Sequence, residues 1–110
     1  MNLQDPDYCI VLVTAPSQES AKEIATALVE AKLAACVTIT PIDSIYIWQG
    51  KNNSDREWQL TIKTRSHLFT QISIKIKSLH SYEVPEIIAV PIFAGSQSYL
   101  DWISENVKED

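Results

Sequence analysis

Residues 8–14, YCIVLVT, form a nearly unbroken apolar run rich in β-branched side chains, the pattern of a central buried strand. Ala15-Pro16 ends it. Ala21, Ile24, Ala25, Leu28 and Val29 then recur at helical spacing and predict a helix over about 18–32. Ser20 with Glu23 fits a capping box, and Ser17 is the competing cap. LAACVTIT at 33–40 predicts a second strand, which Pro41 bends or interrupts before IDSIYIWQG resumes the alternation.

The stretch 42–64 carries the most pattern. Asn52-Asn53 offers a two-residue turn, because asparagine tolerates positive φ better than most residues. That turn sets Trp48 opposite Glu57, Tyr46 opposite Gln59 and Ile47 opposite Trp58. Opposite residues share a face and successive ones alternate. One face therefore carries Ile45, Ile47, Trp58, Leu60 and Ile62, and the other carries Tyr46, Trp48, Glu57, Gln59 and Lys63.

Beyond Ser66, a plausible N-cap, Phe69, Ile72, Ile76 and Leu79 predict a second helix that ends near His80. EIIAVPIF reads as another strand, and Pro91 in it points to a sheet edge or a bulge. Ser96 caps a last helix whose inward stripe is Tyr99, Leu100, Ile103 and Val107. Strand, helix, long hairpin, helix, strand, helix is the α+β order βαββαβ of a ferredoxin-like split, with an extra C-terminal helix. Helices on one sheet face leave the other bare. With the aliphatic hairpin face against the helices, Tyr46 and Trp48 point to the open side, which predicts self-association through this hairpin.

Composition narrows the setting. At 110 residues and 45% hydrophobic, the chain suits one domain, with a core over about 8–107. A net charge of -5 argues against a nucleic-acid partner, which rewards clustered Lys and Arg. No apolar stretch reaches the roughly 20 residues of a membrane-spanning helix. The opening MNLQDPDY lacks the basic and apolar regions of a signal peptide, so the expected compartment is the cytoplasm. Cys9 and Cys36 show no C-x-x-C spacing and read as free thiols, with a disulfide as the minority alternative; Cys36 is also a possible soft ligand for copper.

The densest group of reactive side chains is HSYEVPE, His80 to Glu86. His80 with Glu83 is serviceable ligand chemistry for copper or zinc, although no second histidine stands nearby. The competing reading makes His80 a helix-terminal residue at the negative end of the dipole and Val84-Pro85 an extended entry to a strand. Glu83 and Glu86 resemble an acid and base pair, yet nothing supplies a nucleophile or oxyanion donors, so the expectation is a protein that is not an enzyme. Under an oligomer interface, Tyr46, Trp48, Glu57 and Lys63 would line a polar and aromatic cleft.

Five segments, TAPS (14–17), LAACVTITPIDSIYIWQG (33–50), EWQLTIKT (57–64), HSYEVPEIIAVPI (80–92) and YLDWI (99–103), together resemble the CutA divalent-cation tolerance family over nearly the whole chain. The resemblance implies a tight homotrimer with hairpins pairing between subunits and an architecture like that of PII-type signalling trimers. It also implies an intersubunit cleft lined by Tyr46, Trp48, Glu57, Lys63, His80, Tyr82 and Glu86, and a role in tolerance of copper and other divalent ions, with a divalent metal as possible cofactor. Its metal-linked bacterial members carry a cysteine where this chain has Val13 and paired histidines where it has Leu79 and His80. Two of three copper ligands are therefore missing, and Ser81 replaces the proline of the usual H-P-Y. The alternative implied by the same resemblance is a PII-like signalling or scaffold trimer that binds a small anion through Lys63 or recruits a protein partner.

Overall fold

The computed structural model describes residues 6–109; the first residues of the MNLQDPDY stretch, and Asp110, lie outside the described residues. The chain runs β1 (Tyr8–Ala15), α1 (Gln18–Glu30), β2 (Cys36–Trp48), β3 (Lys51–Arg65), a 3-10 turn (Ser66–Leu68), α2 (Phe69–Leu79), β4 (Ile87–Pro91) and α3 (Gln97–Asn106). All strand pairs are antiparallel, in the order β2-β3-β1-β4. This is the expected ferredoxin-like α+β arrangement.

Alternation along β1 builds the core. Cys9, Val11 and Val13 face the same way as Ile62 and Leu60 of β3, their cross-strand partners or neighbours, and meet Ile24 and Leu28 of α1 and Ile72 and Ile76 of α2. Each fully buried aliphatic side chain contributes roughly 1.5–3 kcal/mol. Thr64, buried in the same layer, donates from Oγ1 to the carbonyl of Leu33 at 2.6 Å, so its hydroxyl is satisfied there. Ser17, not Ser20, caps α1: its Oγ accepts from the Ser20 amide at 3.0 Å. Ser66 is not the N-cap of α2; it opens the 3-10 turn, and no side chain caps the helix. Val29 and Tyr99, both expected to face inward, are exposed.

The opposite sheet face is not wholly bare. Tyr8 alternates with Cys9 and so lies on that face, and its hydroxyl sits 2.6 Å from Ser104 Oγ of α3. The last helix thus crosses one end of the open side and buries Ile103. Ile10 and Leu12 remain half-buried, and Ile88 and Val90 of β4 are exposed. Cys9 and Cys36 occupy opposite faces: Thr64 stands across from Cys9 and its neighbour Lys63 across from Cys36. Both are free thiols, so the disulfide alternative is set aside.

The hairpin corrects the expected register. Its turn is Gln49-Gly50, with φ of 52° and 76°, a left-handed pair of the type that matches strand twist. Trp48 pairs with Lys51, not Glu57, and Tyr46 pairs with Asn53, not Gln59. Each β2 residue meets a partner six positions earlier than Asn52-Asn53 would have set, and because that offset is even, both faces keep their members. β2 also passes unbroken through Pro41, whose missing N–H is tolerated on an edge strand. β1 pairs only with Trp58–Arg65 of β3, so the distal hairpin projects as an arm beyond the helices, with Ile45 82% and Ile47 73% exposed.

Candidate functional site

A cleft of about 750 Å³ opens where the arm meets the loop between α2 and β4. Tyr46 and Trp48 project from β2, Glu57 from β3 and Thr14 from the end of β1; Tyr82, Glu83 and Glu86 come from the loop. Alternation explains the first group, since Tyr46, Trp48 and Glu57 share one hairpin face.

His80 fixes the loop. It is the C-cap residue of α2, its backbone already extended. Its Nδ1 accepts from the Tyr82 amide at 3.0 Å, which places the proton on Nε2, and Nε2 donates to the Thr14 carbonyl at 2.7 Å. Both ring nitrogens are therefore engaged, and the ring lies 4.7 Å from that of Tyr82, centroid to centroid. Tyr82 then donates from its hydroxyl to Glu57 Oε2 at 2.7 Å. This relay ties β1, the loop and β3 together at the cleft floor, where Glu57 is 6% exposed. A second tyrosine does the same on the arm: Tyr46 donates to Asp55 Oδ2 at 2.5 Å.

The electrostatics follow from this packing. Burial, then the hydrogen bond to Glu57, pushes the Tyr82 phenol far above its ordinary value. The Asp55 hydrogen bond, with smaller burial and charge effects, raises Tyr46. Both phenols stay neutral donors at physiological pH. Glu86 lies at the exposed mouth; partial desolvation by the cleft wall, then the nearby Glu57 carboxylate, raises its carboxyl above the usual range.

Five of the seven cleft residues expected from sequence converge here: Tyr46, Trp48, Glu57, Tyr82 and Glu86. Lys63 does not. It lies farther down the same sheet face, opposite Cys36, where its Nζ donates to Thr38 Oγ1 at 3.2 Å. Of the expected metal pair, Glu83 lines the mouth while His80 lies behind the wall with both nitrogens in use. No group of three His, Cys, Asp or Glu placed to hold a metal occurs among the described residues. One chain by itself contributes all of these lining residues. Sequence reasoning passed over the Thr14 carbonyl and Asp55. A backbone acceptor leaves no sequence signal, but Asp55, two residues before Glu57 on a strand, was open to the same alternation argument.

The family described as CutA1 divalent ion tolerance protein matches residues 9–106. The chain belongs to the CutA1 family. The divalent-cation tolerance protein CutA of Thermus thermophilus is 52% identical over 98 residues, covering 88% of this chain and 95% of that protein. Among solved structures, the periplasmic divalent cation tolerance protein CutA of Archaeoglobus fulgidus superposes with a TM-score of 0.90 at 44% identity, over 92% of this chain and 99% of that one. CutA1 from Oryza sativa gives 0.92 at 42% identity, over 96% and 97%. The CutA1 fold is thus common to the three chains.

Proposed function

We propose that this CutA1-family chain acts in tolerance of divalent metal ions as a homotrimer in the cytoplasm, and that it is a binding and assembly protein, not an enzyme. The relatives' names carry the tolerance role. The observation that best supports a cation-facing function is the cleft itself, whose charged lining residues Glu57, Glu83 and Glu86 are all acidic. Assembly is supported by what a lone subunit leaves uncovered: Ile88 and Val90 on the open sheet face, Ile45 and Ile47 on the arm, and Phe93, fully exposed after β4. The two sheet edges are different strands, β2 and β4, and unlike edges that pair head to tail build a closed ring where the rotation between subunits closes.

Direct binding of copper or zinc is the finer part of the proposal. One subunit offers carboxylates but no three-ligand group among the described residues, so the metal would draw ligands from more than one subunit. A PII-like trimer that reads a small anion is the weaker alternative, because Lys63 stands outside the cleft.

Calorimetric titration of the purified protein with copper and zinc near pH 7, beside His80→Ala and Glu83→Gln, tests the metal reading. Saturable binding that either variant weakens supports it; binding indifferent to both, or none, overturns it. Sedimentation should give three times the 12.4 kDa chain mass. A monomer at micromolar concentration would overturn the assembly.

A further inference from the structure

We draw no further inference here: the strongest candidate, the cavity of about 550 Å³ that Cys9, Arg65, Ser66, Phe69, Ala89 and Pro91 line at the start of α2, is bounded by the edge strand β4, which the proposed ring pairs with a neighbouring subunit, and nothing in the structure shows what covers it.

Discussion

The two halves of the long hairpin follow the same two-residue alternation and meet opposite fates. Near the body, Leu60 and Ile62 are wholly buried against α1 and α2, with β1 paired alongside. Toward the tip, Ile45 and Ile47 stand on that same face and are exposed, because no helix reaches them. Alternation states only which side chains travel together. What they meet depends on how far the neighbouring elements extend, and β1 stops at Ala15, opposite Trp58. The same geometry places the acidic and aromatic cleft at the junction, where the body ends and the arm begins.

The contrast should be sharpest on substitution in the body. Ile62→Ala removes packing at a fully buried site and should cost about 2–5 kcal/mol, read as a lower urea midpoint. An Ile62 variant as stable as the parent would mean that the two halves are not energetically distinct. On the arm, Ile47→Asp should leave the helix and strand content of the circular dichroism spectrum unchanged while lowering the sedimenting mass toward that of one chain. If the mass holds, the arm makes no intersubunit contact and its exposure is a property of the assembled protein too.

At the tip itself, Gly50→Ala should lose about 1 kcal/mol, since φ of 76° is left-handed and a Cβ there is strained although nothing lies within 4 Å of it. The smallest effect belongs to the junction. Glu86 has a raised carboxyl pKa in the fold, so its contribution to stability is fully present below the unfolded value and is lost as pH rises through the folded one. Glu86→Gln should therefore gain stability over the parent near pH 7 and lose that advantage in acid. Exposure at the mouth limits the gain to roughly a few tenths of a kcal/mol. Thermal melts at the two pH values would show it, and an advantage that grows in acid would reverse the assigned sign.

Most of the architecture was legible because it rests on periodicity: YCIVLVT for the central strand, the apolar spacing of α1 and α2, and the aliphatic face of β3. The turn was not. Asparagine's tolerance of positive φ made Asn52-Asn53 attractive, but Gly50 carries no Cβ penalty at all and takes the turn with Gln49. The cleft face survived that error because an even register offset preserves alternation, so Tyr46, Trp48 and Glu57 were still grouped together. Lys63 was grouped with them correctly by face but lies farther down the strand within the chain, since parity says nothing about position along a strand. His80 was the hardest to read: its two hydrogen bonds depend on Thr14, far away in sequence, and on a backbone amide.

The even offset also bears on how such a hairpin can change length over time. Removing or adding an odd number of residues in each strand would turn Tyr46 and Trp48 toward the opposite side, whereas a change of two per strand leaves every side chain on its original face. With a two-residue turn at the tip and little packed against the arm, insertions and deletions there should be inherited in paired steps, so that arm length becomes a variable counted in discrete units.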